Sequence, residues 1–372
     1  MRFLGRSFLA VVALVALSGT ASAKQTVKIG AALSMTGPAA AYGANQKNGI
    51  LAAVEEINRS GLLKDVVLEA VIEDDASTKE QGIAVFQKFI NQAKVAAIIG
   101  PTLSNTAFAT DPIAQASKVP VVAISNTAPK GITDIGDYIW RVSLTEGQVI
   151  PGALKALRTK LGFKKAALLF GNDDAFTKAG YDVMKAALAD LKIQVTGEQT
   201  FAKPDRDYSS QLTTLLAQKP DILVVSALIE NASGIVEQAR RLGWQGPIFG
   251  GNGFNNPVLM KNAGPAAEGV YVGTAWNRAS TDGANTKYLA LMKAKGIDPD
   301  QFATQAYVGV EVIAEAIKQA GMKGGRNDIK SGFAKVKGLP TPLGKFSFLP
   351  NRDGDHAPAI QVVKDGKFQI MQ

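Results

Sequence analysis

Three short stretches gather small hydroxyl residues just after apolar runs: "LSMTGPAAAYG" (33–43), "GPTLSNTA" (100–107) and "ISNTAPKG" (124–131). In the last two, Ser104, Ser125 and Thr127 stand where a helix or turn is about to begin. Hydroxyls beside the free N–H groups of a helix N-terminus suit an anion, and a carboxylate above all. Serine, asparagine and threonine also cap helices and turn chains, which is their commonest use, so each stretch taken singly reads as a cap. Together, at matching positions in successive units, they predict a binding site.

Other chemistries find little support. The first stretch has neither the G-x-G-x-x-G spacing of a dinucleotide loop nor the lysine of a P-loop, so it is a poor phosphate cradle. There is no cysteine, which excludes disulfides, thiol catalysis and cysteine-held metal. The one histidine, His356, lies in the turn-like "NRDGDHAP", and no G-x-S-x-G elbow offers it a nucleophile. The acidic triplet "EDD" (73–75) reads as strand-end capping, and "DGD" (353–355) lacks the spacing and glutamate of a calcium loop. The expectation is a protein with no catalytic residues, metal or cofactor.

Short β-rich runs alternating with helical periodicity must position these stretches. "TVKIGAAL" (26–33), "VVLEAVIEDD", "VAAIIG" and "PVVAIS" read as strands, separated by helices such as 43–61, where Ile50, Ala53, Val54 and Ile57 share a face. After "YIWRVS" (138–143) the pattern restarts with a helix from Glu146, then strands "KKAALLFG", "VTGEQTF", "DILVVSAL" and "PIFGGN". Strands separated by helices give an α/β fold with parallel, doubly wound sheets. Two such lobes are expected: 24–143 with about 277–345, and 144–276 with about 346–372. Near the end, helices at 285–296 and 302–320 lead to β-like runs, with a "KDG" turn between the last two.

The N-terminus has the order of a cleaved export signal: Arg2 and Arg6, an apolar run from Phe8 to Leu17, then Ala21-Ser22-Ala23. Cleavage after Ala23 would leave 349 of the 372 residues, enough for two domains, and would lower the formal charge of +9 by two. The remaining lysines are scattered and the aromatics do not interleave with basic clusters, which argues against nucleic acid.

From "VKIGAALSMTGPAAAYGANQKNGILAAVEEIN" (27–58) through "IEDDAST", "IIGPTLSNTA", "ISNTAP", "QARRLGW" and "AEGVYV", the chain resembles the periplasmic substrate-binding proteins of branched-chain amino-acid-type ABC transporters. The resemblance implies two Rossmann-like lobes joined by three crossings and a cleft that closes on one small molecule. It further implies a periplasmic, monomeric protein that delivers its ligand to an inner-membrane permease with a cytoplasmic ATPase. By the same resemblance, Ser104, Ser125 (through its backbone) and Thr127 would hold a ligand carboxylate. Tyr42 would pack on the ligand body, and Phe176 and Leu228 fall where relatives carry tyrosines. The acidic residue that meets the α-ammonium falls at Asn252.

A buried ammonium left without a counter-charge costs several kcal/mol. The loss of that acid therefore favours a carboxylate without an α-amino group: an aromatic, aliphatic or 2-oxo acid. The alternative is an apolar amino acid whose ammonium meets another acid, such as Glu230 or Asp173. Positions Ser77 and Leu103, bridged by a disulfide in some relatives, cannot be bridged here. A receptor-docking sensor with the same fold, or an exported hydrolase, are the competing classes.

Overall fold

The computed structural model describes residues 24–371, so the expected leader lies outside the described residues. The first sheet holds β1 (Gln25–Leu33), β2 (Val66–Asp74), β3 (Ala97–Ile99), β4 (Val121–Ala123) and β5 (Ile139–Arg141) in the order β2-β1-β3-β4-β5. All its pairings are parallel. Between them run α1 (Ala40–Ser60), α2 (Lys79–Lys88, continued by a π-turn Phe89–Ala93) and α3 (Ser104–Ala116). The buried faces of β1, β3 and β4 are near-continuous Val, Ile and Ala, as expected for strands covered on both sides.

The second sheet repeats the logic. Between β5 and its first strand comes α4 (Glu146–Leu161), opened by a capping box of Thr145 and Gln148. Then follow β6 (Lys165–Gly171), α5 (Ala175–Asp190), β7 (Gln194–Phe201), α6 (Ser209–Ala217), β8 (Ile222–Ser226), α7 (Ile229–Arg241), β9 (Ile248–Gly250), α8 (Val258–Ala263) and β10 (Val270–Thr274). The chain returns to the first core through α9 (Gly283–Ala294), α10 (Gln301–Gln319) and α11 (Arg326–Phe333). Next come β11 (Leu339–Thr341), β12 (Gly344–Phe348) and β13 (Gly354–Asp355), a small antiparallel sheet. Finally β14 (Ala359–Lys364) and β15 (Lys367–Ile370) form the hairpin signalled by "KDG" and complete the second sheet antiparallel to β10. Its order is β15-β14-β10-β9-β8-β6-β7.

Three details depart from expectation. Helix α1 begins at Ala40, three residues early, so Tyr42 stands in a helical turn rather than in the loop before it. Helix α11 and strand β10 carried too weak a periodic signal to be read. Phe346 and Phe348 pack with Trp140 and Phe333 in the first core, although they fall in the stretch from about 346 expected to belong to the second lobe.

Helices α1 and α10 pack closely on the first sheet because Gly49 has no side chain. A Cβ there would stand 2.0 Å from the Ala303 carbonyl oxygen. Arg141, at the end of β5, is fully buried. Its Nη2 lies 2.6 Å from Asp353 Oδ1, and its Nη1 donates to the carbonyls of Asn126 and Ala128. One guanidinium thus joins the first passage between sheets, the loop after β4 and the last return of the chain.

Candidate functional site

In an open parallel sheet, ligands bind beyond the strand ends where the strand order reverses, because neighbouring loops diverge there. In the first sheet that point lies between β1 and β3, and in the second between β6 and β8. The two points face each other across one cavity. Tyr42, Thr102, Leu103, Ser104, Ser125 and Phe302 line it from the first sheet's side, and Phe176, Leu228, Asn252 and Gly253 from the other. Six of the seven residues singled out from the sequence meet here. The cavity measures about 20 Å³, roughly the room one water needs. An amino-acid-sized solute enters only if the two sides part.

The first wall is held by a network centred on Gln46. Its Nε2 donates to Ser125 Oγ at 2.7 Å, and its Oε1 accepts from Thr102 Oγ1 at 2.7 Å. Ser125 Oγ in turn donates to the Thr102 carbonyl. The Ser125 hydroxyl is therefore already committed to the fold, and its backbone is what remains for a ligand. Ser104 differs: its Oγ is buried and has no hydrogen-bond partner among the described residues, at the first residue of α3. That helix has no side-chain cap, so its opening N–H groups are not taken up by one. A carboxylate fits this corner by charge and by donor count.

Tyr42 crosses the cavity. Its hydroxyl donates to the Gly253 carbonyl at 2.7 Å and accepts from Ile229 N at 2.7 Å, while its ring packs on Phe302 at 4.4 Å between centroids. The expected wall residue is thus also a bolt between the two sides. Asp300, the N-cap of α10, adds a second tie, accepting from Asn45 on α1 and from Asn256 beyond β9. Burial pushes the Asp300 carboxyl up to about 6.

Asn252 sits in a 3-10 turn after β9, and its Oδ1 accepts from Gln301 Nε2. Its backbone N–H donates at 3.0 Å to Glu146 Oε1, the same oxygen that accepts from Thr127 Oγ1 at 3.4 Å. Thr127 therefore does not line the cavity but faces this carboxylate. Glu146 is 1% exposed. Burial pushes its carboxyl up to about 7, against which the Asn252 and Thr127 hydrogen bonds pull down.

The two acids proposed as substitutes lie elsewhere. Glu230 is exposed and pairs with Arg206, and exposed Asp173 accepts from Lys203 N. The "EDD" triplet builds the opening loop: Asp74 accepts from Met35 N and the Thr36 hydroxyl, Asp75 from the Ser34 hydroxyl, and Glu73 pairs with Lys88. His356 is buried between β13 and β14, and burial pulls its imidazole down to about 4. Among the described residues no three acids, histidines or cysteines cluster to hold a metal.

Gln46, Thr102, Leu103, Gly253, Gln301, Phe302 and Glu146 were not among the site residues expected from the sequence. Gln46 was signalled: it lies four residues before Ile50, a polar side chain in phase with α1's buried stripe. Glu146 was not, because an acid in the first turn of a helix is ordinary.

Two opposed α/β sheets that meet at their switch points around one small cavity define a bilobal solute-binding protein. The chain matches the periplasmic binding protein family over residues 26–367 and belongs to it. The family's members are solute-binding proteins, not enzymes. It is 30% identical over 314 residues, 83% of each chain, to a leucine-, isoleucine-, valine-, threonine- and alanine-binding protein of Pseudomonas aeruginosa. A branched-chain amino acid transporter substrate-binding protein of Streptococcus pneumoniae, solved with isoleucine, is 27% identical, with a TM-score of 0.86 over 93% of this chain and 99% of its own. An ABC transporter solute-binding protein of R. palustris, solved with 4-hydroxybenzoate, shares the fold at 23% identity, with a TM-score of 0.84 over 94% of this chain and 96% of its own.

Proposed function

We propose that the chain captures a small monocarboxylate with an apolar body and no α-amino group, and delivers it to an ABC permease with a cytoplasmic ATPase. The acid would sit at Ser104, the α3 N-terminus and the Ser125 backbone, with Tyr42, Phe176, Leu228 and Phe302 around the body. One observation carries this reading. Gln301 takes one lone pair of Asn252 Oδ1, and the neutral side chain offers no charge to set against an ammonium, while its amide N–H can donate. An N–H donor meets a hydroxyl, oxo or phenol oxygen and cannot meet an ammonium. Export with cleavage after Ala23, a monomeric state, and lobes 24–143 with 277–355 and 144–276 with 356–371 belong to the same proposal.

Glu146 favours a second reading, an apolar amino acid whose ammonium it would neutralise. The two readings predict opposite pH dependence. An anionic ligand favours protonated Glu146, so its affinity falls as pH rises above about 7, by up to about tenfold per unit. An ammonium favours the carboxylate, so affinity rises toward pH 7 and then levels. Calorimetry at pH 6, 7 and 8 with 4-hydroxybenzoate, 4-methyl-2-oxopentanoate and leucine separates them. We expect an acid to bind with affinity falling above pH 7, and leucine to bind weakly or not at all. Tight leucine binding that strengthens with pH would overturn the first reading.

Asn252→Glu should weaken binding of the acid at least about tenfold, since it sets like charge against it. Unchanged affinity would remove Asn252 from the ligand's surroundings. A role in sensing rather than transport would leave ligand binding as described and replace the permease by a receptor.

A further inference from the structure

A second concavity, of about 950 Å³, opens far along α10 from the cleft, between α1, α9, α10 and the β11–β12 hairpin. Its walls are Ile57, Leu291, Pro340 and the rings of Tyr288 and Tyr307, which lie 4.8 Å apart between centroids. Into it projects Glu311, three turns along α10 from Gln301. The residue keeps part of its surface in the groove, while its Oε2 is buried with no hydrogen-bond partner among the described residues. A buried carboxylate oxygen without a donor is rare and calls for an explanation, because it carries the full cost of desolvation.

The surrounding charges do not supply its partner. On α1, Glu56 is paired with Arg59. On α10, Glu315 is paired with Lys318. Asp282 caps α9 through Ala284 N and Asn285 N. Lys287 and Lys345 stand exposed at the mouth. Among the described residues, no lysine or arginine forms an ion pair with Glu311. Burial alone pushes its carboxyl up to about 8.

We propose that this groove is a second binding site, for a small organic cation, with Glu311 as counter-charge and Tyr307 and Tyr288 as aromatic walls. An ammonium or guanidinium would satisfy the orphaned oxygen by a charge-assisted hydrogen bond. The ring faces would add cation–π attraction, which grows in a desolvated groove. The apolar walls set the rest of the ligand: an alkyl or aryl amine rather than a bare metal ion. The site is independent of the cleft, since none of these residues lines it.

Benzylammonium is the probe, with benzyl alcohol as its uncharged match, in calorimetry on the folded protein without its leader. The expected result is benzylammonium binding at pH 7 that weakens at least tenfold in Glu311→Gln and is absent for benzyl alcohol. Binding should also release protons, read as an enthalpy that changes with the ionisation heat of the buffer, because the cation drives Glu311 to its charged form. Glu146→Gln should leave the probe's affinity unchanged, which separates this groove from the cleft. Where Glu311→Gln fails to fold, proton release in the Glu146→Gln protein reads the same site. No heat, equal binding of benzyl alcohol, or equal affinity in folded Glu311→Gln would overturn the proposal, whatever the cleft ligand proves to be.

Discussion

Arg141→Met lowers the stability of the protein by about 3–5 kcal/mol, the range for removing one partner of a buried ion pair. The reason lies in what is left behind. Asp353 would remain 6% exposed, with Thr133 and Asn351 as its only side-chain donors, and no cation, among the described residues. The carbonyls of Asn126 and Ala128 would each lose a charged donor as well. Urea unfolding followed by the fluorescence of Trp140, beside Arg141 in β5, reads the loss. The double variant Arg141→Met with Asp353→Leu should recover most of it, because two apolar side chains replace the pair without leaving a charge buried. A single-variant loss under about 1 kcal/mol would mean that the pair behaves as a surface bridge. Because the same guanidinium anchors the loop carrying Ser125 and Thr127, folded Arg141→Met should also bind its ligand more weakly.

Tyr42→Phe should loosen closure while sparing the fold. The ring and its packing on Phe302 are retained, and only the hydroxyl that joins Gly253 O and Ile229 N is lost. Two hydrogen bonds at about 0.5–1.5 kcal/mol each sum to about 1–3 kcal/mol. That lowers the closed-to-open ratio by roughly fivefold to a hundredfold or more. A ligand shifts the equilibrium only by its own differential contacts, so the same free energy is subtracted from its apparent affinity. Small-angle scattering of the protein without ligand should show a larger radius of gyration in the variant, with a melting temperature close to wild type. Identical scattering curves and identical affinity would show that the hydroxyl does not hold the two sides together.

Much of the fold was legible because its signals are local. The period-two and period-3.6 patterns placed β1, β6, β8 and the start of α4 close to their observed bounds, since each element buries one face or two and its residue types follow. The hydroxyl-rich strand ends were legible for the same reason, lying just beyond clear apolar runs. Elements with weak periodicity were not: α11 has three buried residues in eight, and β10 is a five-residue strand with a burial pattern that does not alternate.

The site divides along the same line. Sequence by itself placed the hydroxyls of Ser104 and Ser125 just beyond strand ends, and the family resemblance added Phe176, Leu228 and Asn252; all five line the cavity. Only the tertiary structure decided what each is free to do. Gln46 reaches Ser125 across 79 residues, Tyr42 reaches Gly253 across 211, and Arg141 reaches Asp353 across 212. These pairings commit the Ser125 hydroxyl, leave the Ser104 hydroxyl free and turn Tyr42 from a wall into a bolt. Glu146 shows the reason most plainly. Its place in the first turn of α4 is a local fact, but its near-neutral titration comes from desolvation, and desolvation depends on what the rest of the chain packs around it.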